Sequence, residues 1–214
     1  MNQLQTDALI FDVDGTLWDT TELCAIAWNR VIKAHSNLPA NVTAQQLKGL
    51  FGKPMDVIFR TIWPQASKEE QESLAKLCVK EENEMLVTTP GIPYPEVKET
   101  LAKLSEELPL FIVSNCQSGY IEVCMSGLGI EAYITDFACF GDHPVSKGQN
   151  ILEIMHRHGL KNPVYIGDTQ SDADACKEAG IRICYASYGF GNVEAPDAVI
   201  TQIGELPKLI GMTK

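Results

Sequence analysis

Five short apolar runs, each ending at a polar residue or a glycine or leading straight to one, punctuate the chain: ALIF (8–11), LFIV (110–113), FACF (137–140), VYIG (164–167) and IRICYA (181–186). Apolar positions in direct succession, without polar alternation, predict strands buried on both faces, the pattern of a parallel sheet. Between them the spacing turns helical. PEVKETLAKLSEEL (95–108) has Pro95 near its first turn and apolar positions at Val97, Leu101, Leu104 and Leu108, KGQNILEIMHRHG carries Ile151, Leu152 and Met155 and stops at Gly159, and DADACKEAG stops at Gly180. Strand and helix alternating in this way imply right-handed crossovers and a doubly wound, Rossmann-like α/β core with a parallel sheet.

One segment departs from the alternation. Between Asp19 and about Val87 the chain offers helix starts and no strand: Thr43 with Gln46 and Ser67 with Glu70 have capping-box spacing, and Asp19 with Glu22 a looser form of it. Leu23, Ile26, Ala27 and Val31 are expected to share a face of the first helix, and Leu74, Leu77, Cys78 and Met85 a face of the last. Gly52 and Pro54 interrupt the middle of the segment and put Lys53 on a tight turn between two helices. The chain returns through VTTPGIPYP (87–95), whose prolines and glycine suit a linker. The expected organisation is a core of residues 1–18 and 88–214 with residues 19–87 inserted as a helical cap. Both hinges of that insertion flank the end of the first strand, the placement of a lid over a site that must exclude water.

Composition narrows the function. With 214 residues, 45% of them apolar, the chain can bury a sizeable core, and 28 acidic against 17 basic residues give a net charge of −11 without any basic stripe. Nucleic acid and anionic membrane are poor partners for such a surface. No stretch approaches the roughly 18 apolar residues of a membrane span, and the opening MNQLQTDALIF has neither a basic n-region nor a small-residue cleavage site. The expectation is a cytoplasmic protein, a monomer or weak homodimer. Seven cysteines without a C-x-x-C pair suit reduced thiols, mostly small core residues, better than disulfides or zinc.

In an open α/β sheet, ligands bind beyond the carboxyl ends of the strands. There the sequence puts Asp12 and Asp14 after the first run, Ser114 and Asn115 after the second, Lys147 a few residues beyond FACFGD, and Asp168 and Asp172 after VYIG. Carboxylates converging on one point repel unless a hard cation lies among them, and donors that are all oxygen point to Mg²⁺. Lys147, Ser114 and Asn115 add a fixed positive charge, a hydroxyl and an amide, an inventory that fits a phosphoryl group. A calcium loop built on DVDG is excluded: with Asp12 and Asp14 at loop positions 3 and 5, positions 1 and 12 would be Ile10 and Thr21, and neither brings the carboxylate such a loop uses there.

DVDGTLWD, VSN, Lys147 and GDTQSD, in that order, resemble the four motifs of the haloacid dehalogenase superfamily, and the helical insertion resembles its small cap. Within the superfamily the chain is most similar to phosphoglycolate-phosphatase-like hydrolases, a likeness helped by CKEAGIRICYASYGFG and APDAVI. The resemblance implies a Mg²⁺-dependent phosphatase acting on a small phosphorylated metabolite, with Asp12 as a nucleophile that forms an aspartyl-phosphate and Asp14 as the acid and later the base. It also implies Mg²⁺ held by the Asp12 carboxylate, the backbone carbonyl of Asp14 and Asp168, with Asp172 close by, and phosphoryl oxygens or aspartates held by Thr16, Ser114, Asn115 and Lys147. Lys53 is the candidate for a second anionic group on the substrate. The alternatives are a phosphosugar mutase of the β-phosphoglucomutase type, which usually has a histidine where this chain has Cys24, and a non-catalytic phosphometabolite-binding protein. A receiver-type regulatory domain would be about half this length, without a cap or an acid two residues beyond the nucleophile. SKGQN also departs from the PxP that commonly follows the lysine in phosphoglycolate phosphatases.

Overall fold

The computed structural model describes residues 3–212. In chain order its elements are β1 (Leu9–Phe11), β2 (Trp18–Asp19), α1 (Thr21–His35), α2 (Ala44–Lys48), α3 (Met55–Ile62), α4 (Lys68–Thr88), β3 (Ile92–Pro93), α5 (Val97–Ser105), β4 (Leu110–Ser114), α6 (Tyr120–Leu128), β5 (Asp136–Cys139), α7 (Lys147–His158), β6 (Val164–Gly167), α8 (Gln170–Ala179), β7 (Arg182–Ala186), β8 (Ala198–Ile200) and α9 (Leu206–Leu209). Six strands form one parallel sheet in the order β5-β4-β1-β6-β7-β8.

The five apolar runs are five of these six strands. They lie inside the sheet because their side chains are wanted on both faces: Leu9 and Phe11 of β1 join one apolar cluster, and Ile10 between them joins the other, with Phe111, Val113, Ile151, Ile154 and Tyr165. The sixth strand, β8, has no counterpart in the sequence reading. It is a three-residue edge strand with Val199 47% exposed, and its signal is too short to separate from a turn.

Strand order decides where a ligand can sit. The chain runs from β1 outward through β4 to β5, then crosses back to β6 on the other side of β1, so the connections beyond β1 diverge and leave a crevice at its carboxyl end. Asp12, Ser114 and Asp168 all stand at that rim.

The four helices α1–α4 lie between β2 and β3, and the two connections are not independent. Trp18 pairs with Pro93 and Asp19 with Ile92 in a two-stranded antiparallel ribbon, so the expectation of no strand at Asp19 and of a bare linker at 87–95 is corrected. Thr43 and Ser67 cap α2 and α4 as expected, accepting from the Gln46 and Glu70 amides. The looser box at Asp19 is different: Asp19 accepts from the backbone and hydroxyl of Thr21 and pairs with Lys48 at 2.8 Å. The buried face of α1 is also shifted from the expected one. Cys24, Ala27, Trp28 and Val31 point inward while Ile26 is 45% exposed, and on α4 the stripe is Leu74, Cys78, Glu82 and Leu86, with Leu77 and Met85 at its flanks.

Candidate active site

β1 ends in a turn whose geometry explains the residues DVDGT. The Asp12 amide extends the ladder to Ile166 O at 2.9 Å, the Thr16 and Leu17 amides fold back onto Val13 O, and the Gly15 amide donates to Trp18 O. Gly15 has φ +81°, and a Cβ there would stand 2.1 Å from Asp168 Oδ2, so only glycine lets the first turn approach the end of β6.

That approach brings three carboxylates together. Asp12, Asp168 and Asp172 each place an oxygen within 4.8 Å of the others, and all three are buried. Lys147, the first residue of α7 and 4% exposed, reaches into them: Nζ lies 2.6 Å from Asp172 Oδ1 and 3.2 Å from Asp12 Oδ1. Burial works against its charge, yet the two aspartates hold its pKa above the ordinary lysine value. Three carboxyls against one ammonium leave an excess of negative charge out of water. Burial accordingly pushes Asp12 up to about 6, against the pull of Lys147, and Asp168 to about 8, with Asp172 adding to both.

The remaining hydrogen bonds separate the roles of these groups. Asp172 is fully engaged: Oδ2 accepts from the Asp168 and Thr169 amides and the Thr169 hydroxyl, closing a capping box on α8, and Oδ1 takes Lys147. Asp168 accepts from the Phe190 amide at 2.7 Å and the Thr16 hydroxyl at 3.4 Å. Thr16 thus meets an aspartate. Asp14 turns away from the cluster: its Oδ1 accepts from Tyr120 Oη at 2.8 Å and Thr20 Oγ1 at 3.0 Å, and burial raises it to about 7 despite those donors.

A cleft opens above this floor, lined by Asp12, Asp14 and Ser114 below and by Trp28, Lys53 and Glu82 from the helices α1–α4 above. Lys53 stands on the turn between α2 and α3 and is exposed. The same turn is anchored to the core, since Asn115 Nδ2 donates to Gly52 O at 2.8 Å. Asn115 therefore holds the turn over the site. Cys116 also lines the cleft, its thiol pushed well up by burial.

Tyr120, Thr20, Trp28 and Glu82 were not among the residues expected from sequence. Tyr120 carries no pattern of its own. Glu82 does leave a trace, because it stands four residues from Cys78 and four from Leu86, a carboxyl in the buried register of an amphipathic helix.

A model of the family described as haloacid dehalogenase-like hydrolase matches residues 9–186. Among curated proteins, a phosphoglycolate phosphatase from Photorhabdus laumondii is 29% identical, the alignment covering 96% of this chain and 92% of that protein. One from Aquifex aeolicus is 28% identical, over 94% of this chain and 95% of its own. The crystal structure of a predicted phosphoglycolate phosphatase from Haemophilus somnus superposes with a TM-score of 0.84 at 21% identity, covering 97% of this chain and 99% of that one, a likeness of fold.

Proposed function

The chain belongs to the haloacid dehalogenase-like hydrolase family, and from that premise we propose that it hydrolyses a small phosphomonoester, with Asp12 as nucleophile, Mg²⁺ as cofactor and residues 19–87 as a cap over the cleft. The observation that carries the reading is the meeting of Asp12, Asp168, Asp172 and Lys147 in one buried cluster, of which Asp12 lines that cleft. Phosphate release from a panel of phosphomonoesters in the presence of Mg²⁺ tests it. No release from any of them would remove the proposal.

In the first step an Asp12 carboxylate oxygen attacks phosphorus, the P–O bond to the alcohol breaks, and Asp14 gives the departing oxygen its proton. In the second, Asp14 takes a proton from water as the water oxygen attacks the aspartyl-phosphate, and Asp12 is regenerated. Asp14 suits both steps, since burial sets it at about 7, near the pH at which it must lose and regain a proton. Thr20 and Tyr120 hold its Oδ1, which leaves Oδ2 for the proton. Lys147 places a fixed positive charge beside Asp12.

The donor set fits a hard cation: it is all oxygen, and its buried negative charge exceeds what Lys147 offsets. The carboxylates of Asp12 and Asp168 with the backbone carbonyl of Asp14 would hold Mg²⁺, which when bound neutralises charge on the phosphoryl oxygens. Asp172, both oxygens already bonded, orients Lys147 from beside them. Two outcomes are expected. EDTA-treated protein should lose phosphate release and regain it with Mg²⁺, and Mg²⁺ should raise the unfolding midpoint in a thermal melt because it relieves carboxylate repulsion. Full activity after EDTA, with no shift in the melt, would exclude the cation from both roles.

Lys53 lines the cleft opposite the aspartates and would meet a second anionic group on the substrate. Lys53→Ala should lower the preference for an acidic over a neutral phosphomonoester by roughly tenfold, equivalent to about 1.4 kcal/mol. Measured kcat/KM ratios that do not move would return Lys53 to the solvent.

A further inference from the structure

Three parts of the molecule meet at one ammonium. Lys48 is the last residue of α2, among the inserted helices. Its Nζ stands 2.8 Å from Asp19 Oδ2 on the ribbon strand β2, and 5.6 Å from the centroid of the Phe190 ring on the loop between β7 and β8. Asp19 is fixed in turn, because its Oδ1 accepts from the amide and hydroxyl of Thr21 at the start of α1.

The Phe190 side of this contact leads to the carboxylate cluster. The amide of the same residue donates to Asp168 Oδ2 at 2.7 Å. Beside it the loop runs so near the cluster that a Cβ on Gly189 would stand 2.3 Å from Asp168 Cβ and 2.4 Å from Gly15 O. That approach needs glycine, and with Gly191 on the other side the backbone around Phe190 has little stiffness of its own. Side chains must hold the loop instead. Tyr188 does so at one end, its hydroxyl donating to Thr16 O at 3.0 Å and its ring packed on Tyr94. At the other end the Phe190 ring lies under the Lys48 cation. Ring and amide belong to one residue, so a ring that leaves its place turns the amide away from Asp168.

We propose that Lys48 is a positioning residue: with the inserted helices docked over the cleft, its ammonium holds the Phe190 ring, and the Phe190 amide thereby keeps Asp168 oriented for the cation. Docking of the helices and binding of the cation are then coupled, each strengthening the other. The inference deepens the phosphatase reading and rests on its cation. A partly exposed ion pair and a cation–π contact together amount to a factor of about ten in an equilibrium.

Mg²⁺ alone, titrated calorimetrically into the metal-free protein, reads the coupling without turnover. Lys48→Met keeps the apolar stem and loses the charge, and should raise the Mg²⁺ Kd by about tenfold. Lys48→Arg, whose guanidinium also pairs with a carboxylate and stacks on a ring, should stay within about threefold of wild type. Phe190→Leu retains the amide without the ring face and should bind Mg²⁺ about as weakly as Lys48→Met. Because the lysine acts through that ring, the double variant should be no worse than the weaker single one. A Kd in Lys48→Met within about twofold of wild type, with only the melting midpoint lowered, would make the lysine an ordinary partner of Asp19 and overturn the proposal. Losses that add in the double variant, or Lys48→Arg as weak as Lys48→Met, would overturn it too. Wild type that binds Mg²⁺ but releases phosphate from no phosphomonoester fails the phosphatase reading alone, and the titration still decides the coupling. Wild type that takes up no Mg²⁺ fails the inference together with the cation.

Discussion

Asp12→Asn is expected to lower kcat for every phosphomonoester on the order of 10⁴-fold or more while leaving the fold intact. The amide cannot attack phosphorus to give an acyl phosphate, so the loss falls on the chemical step and no substrate binding energy can restore it. Stability should behave in the opposite way. Asp12 is 1% exposed, its pKa is pushed up to about 6 by burial, and Asp172 adds repulsion, so a neutral isostere removes a buried charge the fold holds under strain. Lys147 keeps its shorter contact, the one to Asp172 at 2.6 Å. A thermal melt at or above the wild-type midpoint, alongside phosphate release at background, is the expected pair of results. Activity within about tenfold of wild type would contradict the nucleophile assignment.

The floor of the site was readable in the sequence because the parallel sheet makes it so. A strand buried on both faces must be apolar throughout, and the first polar residue after it stands at the carboxyl rim, where ligands bind. ALIF followed by Asp12, LFIV followed by Ser114 and VYIG followed by Asp168 each announce a strand and a candidate site residue together. The spacing of Gly15 carries a further part, since the left-handed turn there is what brings β1 and Asp168 into contact.

What the sequence hid lies where long-range pairing decides. The ribbon of Trp18–Asp19 with Ile92–Pro93 joins positions on opposite sides of four helices, and two-residue strands have no periodicity to read. On α1 the apolar set Leu23, Ile26, Ala27 and Val31 forms a plausible stripe, but the helix packs against both α2 and α4, and the larger Trp28 turns the buried face toward Cys24. The roof of the cleft is hidden for the same reason. Tyr120 and Thr20 meet Asp14 only after α6 and the start of α1 converge on it, and neither hydroxyl differs in sequence from an ordinary helix-terminal residue.

Lys147→Ala should reduce both activity and stability, and the two losses can be separated. For activity, the ammonium beside Asp12 would, on the proposed mechanism, be a fixed charge where an oxyanion develops, and removing such a donor should cost about 3–4 kcal/mol, or roughly 10²- to 10³-fold in kcat/KM. For stability, Asp12 and Asp172 lose the cation between them while remaining buried, the situation in which breaking an ion pair costs about 3–5 kcal/mol, less whatever protonation of a carboxyl recovers. A fall in phosphate release alone could then come from either cause. The double variant Lys147→Met with Asp172→Asn resolves them: it removes one positive and one negative charge, keeps an apolar stem in the lysine's place and retains a side-chain oxygen for the Thr169 amide and hydroxyl. Its melting midpoint should return most of the way to wild type while phosphate release stays as low as in Lys147→Ala. Recovery of turnover together with the melt would confine the lysine to holding the fold, and the phosphoryl group would then need another cation at the floor of the cleft.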